Sequence, residues 1–402
     1  MQGAIVLAAG KSSRFWPLNK RHKSLMKIAG KPILCYTIES LKKAGIRNII
    51  IVQDKGKEIE KELGNYQGVR YIVQEKPLGM GDAILCAEDI VGDEFFVVNA
   101  DRIDSGVFVK EMVKKAKNTS SKMVLAAAET NKPWLYGILE VDGDKAKNLI
   151  EKPKNIKSGI KIVGVYLLSK DIFKYLRSVK RHEYFFEDAL KLYMKENDVR
   201  IVISDKENYS LKYSWDVFSF SRLLLGTLKP KIAKSVKIAK NVTIDGNIHI
   251  GKNTKIYENA VIRGPCYIGN NCVIGNNTLI RDYTNIEDNV VIGANCEVTR
   301  SIIQDNVHAH SGYIGDSIIG RGCMIGAGII TANVRLDREE ISTFVGREKI
   351  KTGLKSFGAV IGENTKIGVR VSIMPGVLIG YDCIIGPNML IKDNVESCKI
   401  LK

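Results

Sequence analysis

The stretch CYIGNNCVIGNNTLIRDYTNIEDNVVIG, residues 266–293, repeats an aliphatic residue at every sixth position. The same ladder runs from Ile232 to Val298 and returns from Ile361 to Ile391, and glycine often follows the aliphatic residue. A period of six fits neither a helix nor a heptad coil. It is typical of short strands that point an aliphatic side chain inward, separated by turns where glycine or asparagine accepts a positive φ angle. Because one coil cannot bury its own apolar side, the coils are expected to stack into a solenoid.

This pattern resembles the left-handed parallel β-helix of hexapeptide-repeat acyltransferases. The resemblance implies a homotrimer, or a multiple of it, with active sites between neighbouring β-helices. The period breaks between about residues 303 and 360, and we expect the interrupted coils to eject loops there. Those loops would contain His308, His310, Tyr313 and Asn333, and loops on a rigid scaffold are a common place for function.

Residues 1–228 have a different sequence pattern, in which apolar runs alternate with amphipathic segments. The runs that predict strands are AIVLA (4–8), NIIIV (48–52), VRYIV (69–73), FFVVN (95–99) and MVLAAA (123–128). The segment 33–45 predicts a helix, because its apolar residues recur at three- and four-residue spacing and Gly45 ends it. Alternating strands and helices predict a doubly wound (Rossmann-like), mostly parallel α/β sheet with ligands beyond the carboxyl ends of its strands. We therefore predict an α/β domain over residues 1–228 and a β-helix domain over residues 229–402.

The composition is that of a soluble globular protein, with 45% hydrophobic and 26% charged residues among 402. No run approaches the roughly 20 apolar residues that a membrane span needs. The opening apolar run lacks the basic leader and long apolar core of a signal peptide. The eight cysteines form no C-x-x-C pair, which argues against a zinc site. These features predict a cytoplasmic protein without a membrane partner.

The net charge of +17 comes from lysines and arginines scattered along the chain, with no block of five or six. Such a surplus suits a protein that handles nucleotides, phosphosugars or coenzyme A, and on charge alone it also suits nucleic-acid binding. The sequence contains no nucleic-acid motif and no concentrated basic segment. We therefore expect anionic small molecules, rather than nucleic acid, as the partners.

The opening LAAGKSSRFWPLNKRHKSLMKIAGKPI (7–33) reads as a strand, a glycine-rich turn and a basic loop. Backbone N–H groups in such a turn, followed by Arg14 and Lys23, make a cradle for a triphosphate. The stretch is neither a Walker A loop nor a G-x-G-x-x-G fingerprint. It resembles the opening of sugar-nucleotide pyrophosphorylases, L-A-A-G-x-G-T-R-x-x-P-L followed by P-K-x-L and G-K-P. Ser12 and Ser13 replace the usual Gly-Thr.

Further marks of that family follow in order along the chain. The resemblance implies substrate-binding roles in the opening turn, in the base-recognition segment and in two sugar-binding loops, for Leu7, Ala8, Gly10, Gln74, Gly79, Gly137 and Glu151. Gln74 would hydrogen-bond a pyrimidine edge. Met80 stands where the family usually has threonine, and Ile162 stands where it usually has a sugar-contacting asparagine, which leaves the sugar open.

The family's reaction brings two anions together. An oxygen of a sugar-1-phosphate attacks the α-phosphorus of a nucleoside triphosphate, and pyrophosphate leaves, so positioning and charge neutralisation carry most of the catalysis. The resemblance implies that Asp101 and Asp216 hold Mg²⁺, which bridges the nucleotide and the attacking phosphate. It also implies that Arg14 neutralises the leaving pyrophosphate and Lys23 the phosphates around the α-phosphorus. The expected substrates are UTP or dTTP and N-acetylglucosamine-1-phosphate or glucose-1-phosphate.

Two stretches of the β-helix resemble the archaeal bifunctional enzymes that make UDP-N-acetylglucosamine. His310-Ser311-Gly312-Tyr313 matches an H-x-x-Y segment, and Gly326 through Asn333 matches a G-A-G-x-x-x-A-N segment. The resemblance implies acetylation of an amino-sugar-1-phosphate by acetyl-CoA. His310 would be the general base, and Tyr313 and Asn333 would position the substrate or stabilise the oxyanion. His308 is the second candidate for the base.

The loop with Arg347, Lys349, Lys351 and Lys355 would meet the phosphates of coenzyme A. One departure concerns residues 337–342, Asp-Arg-Glu-Glu-Ile-Ser, which replace lysines that the archaeal enzymes carry shortly after the asparagine. Two alternatives stay open. The chain could be a monofunctional glucose- or mannose-1-phosphate nucleotidylyltransferase whose β-helix only assembles the oligomer. It could also be a non-catalytic regulatory relative, like the translation-initiation exchange-factor subunits.

Overall fold

The computed structural model describes residues 3–204 and 209–402, which form two compact units. The first unit comprises the chain up to Lys11 together with Ile33–Ser210, and the second comprises Ser12–Pro32 together with Leu211–Lys402. Packing therefore groups the segment 12–32 with the repeats, and not with the chain on either side of it. The domain bounds 1–228 and 229–402, drawn where the sequence pattern changes, stay a prediction.

The strands of the N-terminal part, numbered along the chain, are β1 (Gly3–Ala8), β2 (Lys27–Ile28), β3 (Lys31–Pro32), β4 (Ile49–Asp54), β5 (Val69–Gln74), β6 (Glu94–Asn99), β7 (Met123–Thr130), β8 (Gly137–Asp142), β9 (Lys145–Glu151), β10 (Gly159–Ser169) and β11 (Val199–Ile203). The helices are α1 (Ile33–Lys43), α2 (Glu58–Leu63), α3 (Met80–Leu85), α4 (Ser105–Thr119), α5 (Ile172–Ser178), α6 (Phe185–Glu196) and α7 (Val217–Gly226). Short 3-10 helices cover Ser13–Phe15, Lys23–Leu25, Glu88–Ile90, Pro133–Leu135 and Ser214–Asp216. The five predicted strands and the predicted helix are confirmed.

The sheet of the first unit has the order β5-β4-β1-β6-β10-β7-β11-β9-β8. β5, β4, β1 and β6 run parallel, as predicted. β10 lies antiparallel to both β6 and β7, whereas β11 runs parallel to β7. The Rossmann-like α/β fold is confirmed, and its sheet is parallel over the first four strands and mixed beyond them. The hairpin β8–β9 and the loop after it contain no crossover helix, which a parallel connection would need.

The core of the first unit forms around this sheet. Ile5 on β1, Val97 on β6 and Leu125 on β7 are fully buried in it. β1 and β6 are neighbouring parallel strands, with Leu7 paired to Asn99. Their carboxyl ends therefore meet at one edge of the sheet, where ligands of such folds bind.

The strands of the β-helix are β12 (Lys231–Ile232), β13 (Lys237–Ile238), β14 (Thr243–Asp245), β15 (Ile248–Ile250), β16 (Lys255–Ile256), β17 (Val261–Arg263), β18 (Cys266–Ile268), β19 (Val273–Ile274), β20 (Leu279–Arg281), β21 (Thr284–Ile286), β22 (Val291–Ile292), β23 (Cys296–Thr299), β24 (Ile302–Ile303), β25 (His308–Gly315), β26 (Ile318–Ile319), β27 (Met324–Thr331), β28 (Ser342–Val345), β29 (Glu348–Lys351), β30 (Ala359–Ile361), β31 (Lys366–Ile367), β32 (Ser372–Ile373), β33 (Val377–Ile379), β34 (Ile384–Ile385), β35 (Leu390–Ile391) and β36 (Ile400–Leu401). Apart from the antiparallel hairpin β28–β29, they stack as parallel ladders, one of which has the order β12-β15-β18-β21-β24-β26-β30-β33. The left-handed parallel β-helix is confirmed.

The six-residue ladder builds the core of this solenoid, as predicted. Ile268, Ile286 and Ile379 have no exposed surface. Ile232 and Ile238 are nearly half exposed, because they belong to the first coil and no coil covers them from below. The asparagines of the turns adopt positive φ, at Asn241, Asn253, Asn259, Asn271, Asn277, Asn289, Asn295, Asn306, Asn364 and Asn388.

The break in the period has a different structure from the one expected. The spacing of stacked core residues falls from eighteen, between Ile268 and Ile286, to sixteen, between Ile303 and Ile319. The coils thus continue with shortened turns, and only about residues 334–358 leave the solenoid. The prediction that His308, His310 and Tyr313 lie in ejected loops is wrong, because all three lie in β25. Asn333 lies where the chain leaves β27 for the loop.

Within residues 3–204 and 209–402, none of the helices combines the length and the apolar character needed to cross a membrane. All eight cysteine thiols are free, and six of them are buried. Burial raises the pKa of the Cys272, Cys296 and Cys323 thiols to about 12, so these side chains behave as small apolar packing groups.

Candidate active site

Three of the predicted catalytic residues come together in the second unit, around residues 211–216. Arg14, on the 3-10 helix Ser13–Phe15, lies next to the Tyr213 hydroxyl, and its positive charge opposes the raising of that group's pKa by burial. Lys23 donates from Nζ to the carbonyl oxygen of Leu211 at 2.6 Å. The Asp216 carboxylate accepts hydrogen bonds from the backbone N–H groups of Lys212 and Tyr213, each at 2.7 Å. Two cations and one carboxylate from distant parts of the sequence therefore share one short segment.

The Asp216 carboxyl is strongly affected by its surroundings. Burial raises its pKa to about 6, while the two backbone donors and the nearby Lys23 ammonium lower it. A half-buried carboxylate whose negative charge is only partly compensated favours a bound cation. Such a group suits a metal ligand better than a structural ion pair.

Aromatic packing anchors this segment within the second unit. The rings of Tyr213 and Trp215 stack with centroids 4.7 Å apart, and Trp215 contacts Phe357 at 5.9 Å. Phe218 packs edge-on against the same Phe357 ring, which has no exposed surface. The sequence reasoning missed this support, although three aromatic residues within six positions were a signal.

The other predicted aspartate, Asp101, lies in the first unit just beyond the end of β6 and is 2% exposed. Leu7 and Ala8 lie in the adjacent β1, and the Leu7 carbonyl accepts a hydrogen bond from the Ala100 N–H at 3.3 Å. Gly10 follows β1, and a side chain added there would meet no atom. The turn and the carboxylate thus lie at the same edge of the sheet, as predicted from the motifs.

The predicted base-recognition residues form a rigid loop in the first unit. Gln74 is buried, and its amide nitrogen donates to the Gly79 carbonyl at 3.2 Å and to Asp82 Oδ2 at 2.9 Å. Gly79 has φ 92°, and a side chain there would overlap the carbonyl of Glu183. Gly79 is therefore required both for the backbone conformation and for the close approach of two chain segments.

The predicted sugar-binding residues Gly137 and Glu151 are paired across β8 and β9. A Cβ atom on Gly137 would lie 2.9 Å from Glu151 Oε2, so glycine leaves room for that carboxylate. Lys152 lies 3.4 Å from Glu151 Oε1 and donates to the Tyr184 hydroxyl at 2.7 Å. The carboxylate is thus held by a local network.

Three charged residues of the first unit escaped the sequence reasoning. Lys161 lies mid-strand in β10, buried, with Nζ 4.2 Å from the centroid of the Tyr136 ring, and burial lowers its pKa to about 8. Arg102, beside Asp101, is 1% exposed, and burial lowers its pKa. Burial raises the pKa of Glu187 to about 7. A lysine inside an apolar strand was the available signal, because charges are rarely buried without a role or a partner.

The predicted acetyl-transfer residues divide into two groups. Tyr313 occupies β25, and burial raises the pKa of its hydroxyl, with Asp316 adding to this effect. Asn333 donates to Asp316, which also accepts two hydrogen bonds from Arg300 at 2.7 and 2.8 Å. Asp316 thus holds Arg300 and Asn333 together, and its charge acts on the Tyr313 hydroxyl.

The two predicted histidines form the other group. The side chains of His308 and His310 are exposed, and in the described part of the chain neither has a hydrogen-bond or ionic partner. The basic residues Arg347, Lys349, Lys351 and Lys355 are exposed on and near the hairpin β28–β29. Where the archaeal lysines are replaced, Arg335 pairs with Asp337 and closes a turn.

Comparison with known proteins gives a family match for each of the two parts of the chain. The Nucleotidyl transferase family matches residues 3–219, more than half of the chain. The bacterial transferase hexapeptide family (six repeats) matches residues 247–282, 265–300 and 358–392. Both halves of the sequence thus carry a family signature.

Relatives match over nearly the whole chain. The Bifunctional protein GlmU of Methanocaldococcus jannaschii is 36% identical, over 98% of this chain and 96% of that protein. The protein of the same name from Methanococcus maripaludis (strain C7) is 38% identical, over 98% of this chain and 95% of that protein. A bifunctional sugar-1-phosphate nucleotidylyltransferase/acetyltransferase of Sulfurisphaera tokodaii is 32% identical, over 99% of each. The chain therefore belongs to the nucleotidyl transferase family, in the group of enzymes typified by the archaeal bifunctional GlmU proteins.

Proposed function

We propose that the protein transfers a nucleotidyl group from UTP or dTTP to a sugar-1-phosphate and releases pyrophosphate. The observation that carries this proposal is the convergence of Arg14, Lys23 and Asp216 on residues 211–216 in the second unit. The names of the relatives support the same reaction class. N-acetylglucosamine-1-phosphate and glucose-1-phosphate are the candidate acceptors.

The roles follow from charge. Arg14 would neutralise the leaving pyrophosphate, and Lys23 would neutralise the phosphates around the α-phosphorus. The Gly10 turn would accept the triphosphate, since no atom occupies the space that a side chain would fill. Holding both anions in line removes most of the barrier to their reaction.

Asp101 and Asp216 would hold Mg²⁺. Carboxylate oxygens suit this hard cation, and Asp216 is a half-buried carboxyl whose raised pKa a cation would lower. When bound, the ion would offset the charge of the phosphates.

The recognition of base and sugar would rest on the first unit. The amide nitrogen of Gln74 is engaged by its own loop, so the amide oxygen would accept a hydrogen bond from the N3–H of a pyrimidine. Glu151, held beside Gly137, would accept hydrogen bonds from sugar hydroxyls. Leu7 and Ala8 would line the nucleotide at the end of β1.

A second activity is proposed for the β-helix: acetylation of an amino-sugar-1-phosphate by acetyl-CoA. His310 would take the proton from the amine, and Tyr313 and Asn333, the latter held by Asp316, would position the substrate. The active unit would be a homotrimer, as the resemblance to hexapeptide-repeat acyltransferases implies. Apolar residues exposed along the stacked strands would suit its interface, namely Met324, Ile330, Ile384, Leu390 and Ile400.

The deciding experiment measures pyrophosphate release by the full-length protein against a panel of nucleoside triphosphates and sugar-1-phosphates. We expect release with a uridine or thymidine nucleotide and one of the two candidate sugar phosphates. Absence of release with every pair, from a folded protein supplied with Mg²⁺, would contradict nucleotidyl transfer and favour the non-catalytic alternative. Release without any thiol production from acetyl-CoA would favour the monofunctional alternative, with a β-helix that serves assembly.

A further inference from the structure

A small hairpin, β2–β3, rests on one face of the β-helix within the second unit. Its two-residue turn is Ala29-Gly30, with φ 51° and 80°, which is the backbone of a type I′ turn. The Ala29 N–H donates to Asn285 Oδ1 at 2.7 Å, and the Gly30 N–H donates to the Glu287 carboxylate at 3.1 Å. Side chains of the β-helix thus satisfy the outward donors of the turn.

The next coil holds the first strand of the hairpin. Gln304 accepts from the Lys27 N–H at 3.1 Å and donates to the Lys27 carbonyl at 2.9 Å, which is the pairing of a strand neighbour. Lys27 Nζ lies 3.1 Å from Asp305 Oδ2. We call Asn285, Glu287, Gln304 and Asp305 the hairpin cradle.

The fit between hairpin and cradle is close. Asn285 and Glu287 have no exposed surface, and Asn285 Nδ2 donates to Glu287 Oε1 at 2.8 Å, which fixes both side chains. A side chain on Gly30 would overlap the hydroxyl of Tyr267, one coil earlier. The turn therefore accepts only glycine at this position.

Burying the ionisable groups of the hairpin cradle costs folding free energy. Burial raises the pKa of Glu287 to about 8, with Asp305 adding to the effect and Lys27 opposing it. Replacing buried ionisable groups by apolar ones is often neutral or stabilising. If the coils of the β-helix only had to pack against the hairpin, aliphatic residues would be sufficient. The polar residues of the hairpin cradle therefore indicate a role in holding the hairpin.

The hairpin is directly joined to Lys23. The helix Lys23–Leu25 ends at Met26, whose N–H donates to the Lys23 carbonyl at 3.2 Å, and the cradle takes hold at the next residue, Lys27. At the other end of the segment, Lys20 pairs with Asp382 at 2.7 Å. The backbone that carries Lys23 is thus tied to the β-helix on both sides.

We propose that the hairpin cradle positions Lys23 for nucleotidyl transfer, so that the β-helix is a working part of the nucleotidyl site as well as an assembly or acetyl-transfer domain. This inference rests on the proposed function of Lys23. It identifies Glu287 and Gln304 as positioning residues, because they act through the hairpin and touch no reacting atom.

The test compares full-length Glu287→Ala, Gln304→Ala and Glu287→Gln with the parent protein. Misplacement of a phosphate-binding group by about 1 Å can cost about 10²-fold, so kcat for pyrophosphate release should fall about 10- to 100-fold in both alanine variants. Glu287→Gln should keep most of the activity, because its amide oxygen still accepts from the Gly30 N–H. The KM for the sugar phosphate should stay unchanged, since Lys23 faces the nucleotide.

Thr254→Val is the matched control. Thr254 is also fully buried in the β-helix and bonds the Gly269 carbonyl, which lies outside the segment 12–32. Hydrogen exchange provides a readout independent of activity: a peptide covering residues 23–32 should exchange faster in Glu287→Ala and not in Thr254→Val. Unchanged kcat and exchange in both alanine variants would overturn the inference, as would an equal loss in Thr254→Val. Failure of the parent protein to release pyrophosphate would instead overturn the proposed function.

Discussion

The guanidinium of Arg14 lies next to the hydroxyl of Tyr213 in the second unit, although the two residues lie at opposite ends of the nucleotidyl transferase match. Tyr213 also donates its backbone N–H to Asp216. The residue proposed to neutralise pyrophosphate is therefore held by the same segment that presents the proposed metal ligand. Arg14 needs such a partner, because a long cationic side chain loses rotamer freedom when it is ordered.

We expect Arg14→Ala to lower kcat for pyrophosphate release about 10²–10³-fold, the usual cost of removing a group that stabilises transition-state charge. Tyr213→Phe should lower kcat about tenfold or less, since it removes only a polar group next to the guanidinium. Steady-state kinetics would measure both. Lys43→Ala, an exposed cation at the end of α1, is the control and should match the parent. A larger loss in Tyr213→Phe than in Arg14→Ala would contradict this assignment.

Removal of the divalent cation should abolish pyrophosphate release, and added Mg²⁺ should restore it. Asp101→Ala and Asp216→Ala should stay inactive at any Mg²⁺ concentration, because each removes a proposed carboxylate ligand. Asp393→Ala, which changes an exposed aspartate of the β-helix, is the control. Normal pyrophosphate release by Asp101→Ala would refute the metal assignment.

The acetyl-transfer proposal predicts that acetyl-CoA and glucosamine-1-phosphate yield free coenzyme A, detectable with a thiol reagent. His310→Ala should lower this rate about 10²–10⁴-fold, the typical contribution of a general base. The rate of pyrophosphate release should not change, because that reaction uses other residues. His308→Ala separates the two candidates: if it abolishes thiol release while His310→Ala does not, His308 is the base.

Static light scattering should give a mass of about three chains. Leu390 is half exposed on β35 and stacks on Ser372, which in turn stacks on Ile330 one coil further. Leu390→Asp should therefore place a charge in the proposed interface and yield smaller species. Leu336→Asp is the control, since Leu336 is fully exposed on the loop outside these columns. A stable monomer of the parent protein at micromolar concentration would contradict trimer formation.

The raised pKa of Glu187, about 7, predicts a pH-dependent stability. An unfolded glutamate titrates near pH 4.3, so the native state holds this proton more tightly. The free energy of unfolding should therefore fall as the pH rises from about 4.3 to about 7, and it should level off at higher pH. Glu187→Gln is neutral at every pH. It should therefore raise the unfolding temperature, relative to the parent, more at about pH 8 than at about pH 5.

Thermal unfolding at the two pH values measures this difference. Glu183→Gln makes the same chemical change at an exposed site and should show no such dependence. Equal shifts of Glu187→Gln at both pH values would show that the carboxyl does not titrate between them.

Local sequence patterns alone were sufficient to predict much of the fold and part of the candidate site. The six-residue ladder predicted the β-helix because every coil repeats the same short-range geometry, and Ile268, Ile286 and Ile379 are buried as that pattern requires. The apolar runs predicted the strands for the same reason. The opening motif singled out Arg14 and Lys23, because a phosphate cradle needs its turn and its cations close together in the chain.

Tertiary structure alone decided how distant segments meet. The antiparallel place of β10, the pairing of Arg14 with Tyr213 and the binding of the hairpin turn by Asn285 and Glu287 all join residues far apart in sequence. Read in the repeat, Asn285 and Glu287 look like ordinary outward positions beside Ile286. Their roles depend on which segment packs against that face, and hydrogen bonds between remote segments leave no periodic trace in the sequence, because only the folded chain brings donor and acceptor together.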